Sequence, residues 1–120
     1  MTTKHIGIVA VSPEGAALAV RAISRQASKL LPPHDHPRVS LHNEPLANYI
    51  DAIRADDWHS VGYLLRRSSD ILAGCGAQFC LTPDNAVQHG VHLAEVGSRI
   101  PWITMTDLVA REVERDGRKK

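Results

Sequence analysis

Short apolar runs alternate along this chain with longer stretches of helical period. Ile6 to Val11 is continuous and rich in β-branched residues, which reads as a strand buried on both faces. Ser12-Pro13-Glu14 follows at once: an N-cap, a proline suited to the first helical position, and an acid favoured at the positive end of a helix. The Ala-rich run to about Leu31 predicts a helix with Ala16, Val20, Ile23, Ala27 and Leu30 on its inner face. Pro32 to Pro37 is a loop, Arg38 to His42 a second strand, and Asn43-Glu44-Pro45 breaks it. A short helix is expected over Leu46 to Arg54. A longer one starts at Asp56 or Asp57, turns Val61, Leu64, Leu65, Ile71 and Leu72 inward, and is stopped by Gly74 and Gly76. Gln78 to Thr82 reads as the third strand, Asn85 to about Val96 as the next helix, and Ile100 to Met105 as the fourth strand. Thr106 or Asp107 then caps a last helix through Val113.

Strands alternating with helices predict a parallel sheet with helices on both faces. In such sheets ligands bind outside the carboxyl ends of the strands. All four expected strand ends carry polar residues: Ser12, Asn43-Glu44, Asp84-Asn85, and Thr104 with Thr106-Asp107. Together they would line one crevice, although strand-to-helix turns call for polar caps in any case. Asp84 is the most informative of them. On its turn it could cap the following helix, hold a cation, or act as a general base in a desolvated pocket. Asn85 could orient a carboxylate or simply satisfy the turn.

Composition narrows this picture. The chain has 120 residues, the size of one domain, and a hydrophobic fraction of 43%, enough for a core. Lys plus Arg is 14 against 13 for Asp plus Glu, which leaves no nucleic-acid or membrane footprint. The basic cluster is the tail 115–120, expected to be solvated coil. Cys75 and Cys80 make no disulfide framework and are expected reduced in a core. No signal peptide is visible, and no apolar run approaches the roughly 18 residues a bilayer requires, so a cytoplasmic protein is expected.

Other chemistries find less support. His34 and His36 share a loop, and His89 and His92 lie three apart on one helix, but neither pair has an acidic or thiol partner at a recognisable metal-binding spacing. No metal site is therefore assigned, and a metal-dependent hydrolase is the weakest reading. The first turn lacks both Gly-x-Gly-x-x-Gly and Gly-Lys-Ser/Thr, which argues against a dinucleotide cofactor.

Several segments in order resemble one family. Ile6-Gly7-Ile8-Val9-Ala10-Val11-Ser12-Pro13-Glu14, Asp56-Asp57-Trp58 with Leu64-Leu65, Gly76-Ala77-Gln78-Phe79, and Ile100-Pro101-Trp102-Ile103 are similar to the corresponding motifs of the aspartate/glutamate racemases. These are cofactor-independent amino-acid racemases built from two similar lobes. The family's first catalytic turn reads Cys-Asn-Thr; here it reads Asp84-Asn85-Ala86, so Asp84 takes the place of the catalytic cysteine and Ala86 that of a threonine. The family's histidine a few residues on aligns with Gln88, and the Gly-Gly of its first turn with Ala10-Val11.

The resemblance implies an α/β fold: one lobe over residues 1–120, with a four-stranded parallel sheet in the order 2-1-3-4 and helices on both faces. It also implies proton transfer at the α-carbon of an amino acid or related small acid, without pyridoxal phosphate or any other cofactor. Asp84 would be the catalytic base, with Ser12, Asn85, Ala86 and Thr104 at substrate-binding positions. Family chains run to about twice this length, and the second base is expected on a second lobe beyond Lys120. A lone lobe would expose the face meant for that lobe, so a homo-oligomer is a further expectation. The competing reading is a non-catalytic lobe that binds a small carboxylate, such as an amino acid or dicarboxylate, or a partner protein.

Overall fold

The computed structural model describes residues 4–104. The expected last helix, its cap at Thr106 or Asp107 and the basic tail lie outside them. The described elements run β1 (Ile6–Ala10), α1 (Pro13–Leu30), β2 (Val39–Asn43), α2 (Leu46–Arg54), α3 (Trp58–Gly74), β3 (Phe79–Leu81), a 3₁₀ turn (Asn85–Val87) and α4 (Gln88–Glu95). The sheet is parallel, with the order β2-β1-β3. Ile6 stands opposite Val39 on one side and Phe79 on the other, and Ala10 opposite Asn43.

Among the described residues the sheet has three strands where four were expected. The fourth segment lies in its expected place beside β3, held by Cys80 N–H to the Pro101 carbonyl and by Ile103 N–H to the Cys80 carbonyl, both 2.9 Å. That amounts to a single parallel bridge between Cys80 and Trp102, not a ladder. Pro101 has no N–H to donate, and β3 itself is only three residues long.

Strand β1 is central, and alternate residues serve opposite layers. Ile8 and Ala10 pack on α1 through Ala16, Ala19 and Ile23, whereas Val9 and Val11 join α2, α3 and α4 through Tyr49, Ala52, Val61, Leu65, Leu72, Val87, Val91 and Ala94. This two-sided burial explains why the run is apolar throughout. The covered face of α1 is narrower than the expected one: Ala16 and Ala27 are buried and Ile23 partly so, but Val20 and Leu30, on either side of that line, are exposed. Small alanines let α1 lie close to the sheet, while Leu30 projects past its end. On α3 the buried set is Val61, Gly62, Leu65, Ser68, Ser69 and Leu72, and Ile71, expected inside, is exposed.

The helix ends follow local chemistry. Asp57 caps α3, its Oδ1 accepting from Ser60 N–H at 3.1 Å and its Oδ2 from the Ser60 hydroxyl at 2.6 Å. These two bonds hold its carboxyl below the usual carboxylate range. After α3, Gly76 adopts a φ of 98°, open to glycine at little cost. Arg66 donates to the carbonyls of Val96 at 3.0 Å and Gly97 at 2.7 Å, satisfying the C-terminal end of α4 with a cation that also suits its dipole.

The cysteines part company. Cys80 is buried as expected, but Cys75 lies exposed in the turn after α3. Burial pushes the Cys80 thiol up to about 12, with smaller contributions from the Asp70 and Glu95 charges. Native protein at pH 8 is therefore expected to react at Cys75 alone with a thiol-specific disulfide reagent, and at Cys80 only after denaturant is added. Prompt release of both equivalents from folded protein would contradict this placement.

Candidate functional site

The carboxyl ends of the three strands are tied together by side chains. At the end of β2, Asn43 Nδ2 donates to the carbonyls of Ala10 at 3.0 Å and Val11 at 3.2 Å, fixing that strand end against β1. At the end of β1, Ser12 caps α1, its hydroxyl oxygen accepting from Gly15 N–H at 3.0 Å. After β3, the chain turns through Asp84 into the 3₁₀ turn.

Asp84 stands at the cap position of that turn, yet its side chain makes no capping bond there. It reaches across to the first turn instead. Asp84 Oδ2 accepts from Ser12 N–H at 3.1 Å, and the Ser12 hydroxyl lies 3.4 Å from both carboxylate oxygens. The Ser12 hydroxyl can receive the Gly15 N–H and direct its own proton toward Asp84, so one serine serves both helix and carboxylate. Oδ1 is left with only that long contact among the described residues, on a residue that is half-buried. The capping alternative for Asp84 therefore does not hold: its backbone is extended as a cap's would be, but its carboxylate is turned to the Ser12 N–H instead of its own turn.

Gly15 makes this approach feasible. A Cβ there would stand 2.8 Å from the Ser12 hydroxyl oxygen and 3.3 Å from Asp84 Oδ2. Gln88 braces the turn from the other side, Nε2 donating to the carbonyls of Asp84 at 2.9 Å and Thr82 at 3.2 Å. Asn85 and Ala86 are exposed at the tip. Thr104 is buried two residues past Trp102, about level with Thr82 across the bridge. Of the expected site residues, the structure thus brings Ser12 and Asp84 into contact, leaves Asn85 and Ala86 exposed at the tip of the turn, and buries Thr104 in the segment beside β3.

Other groups join the edge that sequence reasoning did not single out. Tyr49 on α2 is fully buried; its hydroxyl lies near Ser68 but finds no partner in hydrogen-bond geometry. Burial pushes this phenol up to about 12; the Ser68 contact works against that rise, and the Glu44 and Asp84 charges add to it. Tyr49 is therefore a neutral donor within electrostatic reach of carboxylates from two strand ends. Glu44 also faces Arg67 Nε at 3.6 Å and His42 Nε2 at 4.0 Å, and His42 Nδ1 is 2.7 Å from the Ser68 hydroxyl. The signal for Tyr49 was weak: an aromatic at the fourth position of a short helix looks like ordinary core. Gln88, by contrast, was named from the sequence, but only as the position aligned with a histidine in the resemblance; its role as a brace depends on side-chain bonds to two carbonyls.

Among the described residues, no group of three or more His, Cys, Asp or Glu converges as a metal would need. His89 meets the Trp58 ring edge-on at 5.1 Å, His92 lies 3.9 Å from Glu95, and His36 bonds the Pro37 carbonyl. Nor is any helix among them long and apolar enough to cross a membrane.

No family model and no curated protein matches the sequence. Solved structures do. A crystal structure of a candidate Asp/Glu racemase from Yersinia pestis matches with a TM-score of 0.91 at 18% identity, over 96% of this chain and 50% of that one. An aspartate racemase homologue from Pyrococcus horikoshii OT3 matches with a TM-score of 0.87 at 16% identity, again over 96% of this chain and 50% of that one. The chain thus spans half the length of these structures, and at such identities the likeness is one of fold: the protein shares the α/β architecture of one half of each.

Proposed function

We propose that this chain is one lobe of a cofactor-independent, racemase-like enzyme acting at the α-carbon of an amino acid or related small acid. The observation that carries the reading is the Asp84 carboxylate. It sits at the carboxyl edge of a racemase-like sheet, leaves its own helix uncapped, and is held by the Ser12 N–H through one oxygen. In this reading the other oxygen, Oδ1, takes the proton from the substrate α-carbon. The C–H electron pair passes into the substrate carboxylate, Asp84 keeps the proton it has taken until solvent exchanges it, and the protonated form of a second base outside this lobe gives a different proton to the opposite face. So weak a carbon acid needs donors positioned at the developing charge. Asn85 and the backbone N–H groups at the start of its turn serve there, with Ser12 and Thr104 completing the edge. Ala86 offers a methyl group where the resemblance expects a hydroxyl, so the substrate carboxylate depends more on Asn85.

The test is deuterium incorporation at the α-carbon in D₂O, followed by proton NMR across a panel that includes aspartate and glutamate. Exchange by the wild-type chain should fall by about 100-fold or more in Asp84→Asn, the usual scale for losing a general base. Equal exchange rates in the two proteins would remove Asp84 from the chemistry.

One observation favours a second reading. The bond from Ser12 N–H also makes Asp84 a tie between the first and third turns, which a non-catalytic lobe would equally retain. Such a lobe would bind a small carboxylate without exchanging its α-proton. Calorimetric binding of succinate or aspartate, with no deuterium uptake in the same samples, would select this reading over the first.

A further inference from the structure

The three strands of the sheet all lead into a turn that holds an acid. The turns after β1, β2 and β3, residues 11–15, 43–46 and 82–88, contain Glu14, Glu44 and Asp84 and neither lysine nor arginine. The opposite edge carries the other sign: Lys4 precedes β1, Arg38 precedes β2, and Arg99 precedes the segment that bridges to β3. A crevice walled by charge of one sign attracts the opposite charge and repels its own. A cation is therefore welcome at the carboxyl edge, whereas a second substrate carboxylate would meet like charge there.

Register sets two of these acids at one level. Leu81 stands opposite Ile8, and Asn43 opposite Ala10, so continuing both strands brings Asp84 and Glu44 level with Val11, one on each side of β1. Two strand spacings, about 10 Å, lie between them. A base works about 3 Å from the atom it attacks, which leaves roughly 6–7 Å to Glu44. That is the reach of an ammonium on a short, flexible methylene stem. Both carboxylate charges also act on the buried phenol of Tyr49. The hydroxyls of Tyr49 and Thr82 are buried and have no partner among the described residues. They are neutral groups beneath the edge, able to serve a substrate's α-carboxylate through one water without bringing a positive charge that would hold a second carboxylate.

We propose that the site takes amino acids with a cationic side chain, the lysine and ornithine class, Glu44 receiving the distal ammonium while Asp84 faces the α-carbon; this specificity rests on the reading of Asp84 as the base. Glu44 is placed and free enough for the task. Arg67 Nε at 3.6 Å and His42 Nε2 at 4.0 Å both meet its Oε1, so Oε2 has no partner among the described residues. Its side chain is 16% exposed, open to a ligand yet only partly screened by water.

Deuterium exchange at the α-carbon by the 120-residue chain, with lysine, ornithine, alanine and glutamate near neutral pH, tests the proposal. Lysine and ornithine keep a charged ammonium at that pH and should exchange with a kcat/KM about tenfold or more above that of glutamate. Glu44→Gln should cut the lysine-to-glutamate ratio by about tenfold, and Glu44→Lys should invert it. The ratio compares two substrates on one preparation, so any loss of folded protein cancels from it. Chemistry and selection are read apart. Asp84→Asn should stop exchange of every substrate; if nothing exchanges even in wild type, calorimetric binding of lysine against glutamate replaces the rates. Tighter binding of lysine, lost in Glu44→Gln, would then uphold the charge selection and remove only the base. Glutamate handled as well as lysine, a ratio unchanged in both Glu44 variants, or no binding of either amino acid at about 10 mM would overturn the proposal.

Discussion

Replacing Gly62 with alanine is expected to lower the melting temperature by about 4–10 °C, although alanine is the better helix former. Helices α3 and α4 pack against each other here with almost no space between backbones. A Cβ on Gly62 would stand 2.8 Å from the Cβ of Leu93. That atom is fixed by the backbone of α4, so no change of rotamer can move it away. Across the same crossing, a Cβ on Gly90 would stand 2.7 Å from Val61 Cγ1 and 3.4 Å from Leu65 Cδ1. Val61 and Leu65 are fully buried, so they too have little room to yield. Overpacking of this kind costs about 1–3 kcal/mol. Against it stands a gain of up to about 1 kcal/mol in helix propensity. The net loss should be about 1–2 kcal/mol.

Gly74→Ala on the same helix supplies the control. It meets open space and should be neutral or mildly stabilising. For Gly90, a double-mutant cycle with Val61→Ala isolates the clash: the alanine at 90 should cost markedly less once Cγ1 is gone. If Gly62→Ala melts at the temperature of Gly74→Ala, the helices do not approach as closely as described. The consequence reaches the site, because α4 continues the turn that carries Asp84 and Gln88.

A steep loss of stability in alkali is the second large effect. The Cys80 thiol and the Tyr49 phenol both titrate at about 12 in the folded protein, against ordinary values near 9 and 10. Burial is the leading cause in both, since each side chain is fully enclosed. Above pH 9 the unfolded chain releases the thiol proton while the folded chain keeps it, and above pH 10 the same holds for the phenol. Wherever the native state binds more protons, stability falls as pH rises. Each group contributes about 1.4 kcal/mol per pH unit inside its window. Cys80 alone could thus remove about 4 kcal/mol between pH 9 and 12, a large share of the roughly 5–15 kcal/mol that a domain possesses.

Melting followed by circular dichroism from pH 8 to 12 should show a fall beginning near 9 and steepening past 10. In Cys80→Ala only the phenol remains, so the onset should move toward 10; in Tyr49→Phe the early onset stays and the later steepening is lost. A melting temperature that is flat to pH 11, or an onset unchanged in Cys80→Ala, would show that these groups are not enclosed as described. Tyr49 carries extra interest because the Glu44 and Asp84 charges add to its shift. A substitution at Asp84 should therefore ease the phenol's titration slightly, a link between stability and the candidate site that needs no substrate.

Much of the architecture was legible because local chemistry and the tertiary fold agree. Ser12-Pro13-Glu14 caps α1 as its residue types require, Asp57 caps α3, and Leu46–Arg54 is helical over the expected span. The apolar run from Ile6 is the central strand, with both faces covered. Errors arose where packing overrode pattern. Val20, Leu30 and Ile71 satisfy a helical period and are still exposed, since periodicity marks an apolar face but not how much of it the neighbouring layers cover. The fourth strand kept its place but not its ladder. The proline at 101 and the shortness of β3 limit pairing to one bridge.

The candidate site divides in the same way. The row of polar residues at strand ends follows from the sequence, because an α/β alternation puts every strand-to-helix turn on one edge of the sheet. Their roles do not follow. Asp84 before a helix has the chemistry of a cap, and it ceases to be one only because the first and third turns meet and offer it the Ser12 N–H. Gly15 looks like an ordinary residue of the first helical turn until Asp84 is placed 3.3 Å from where its Cβ would be. Tyr49 becomes relevant only when the charge of Asp84, distant in sequence, acts on its buried phenol together with that of nearby Glu44. The sequence by itself determined the layers, the strand edge and the residue types available there, since these depend on period, capping and alternation among near neighbours. The tertiary structure alone decided which of those residues touch and which are free to act, since that depends on contacts between residues as far apart as Ser12 and Asp84, for which no local pattern exists.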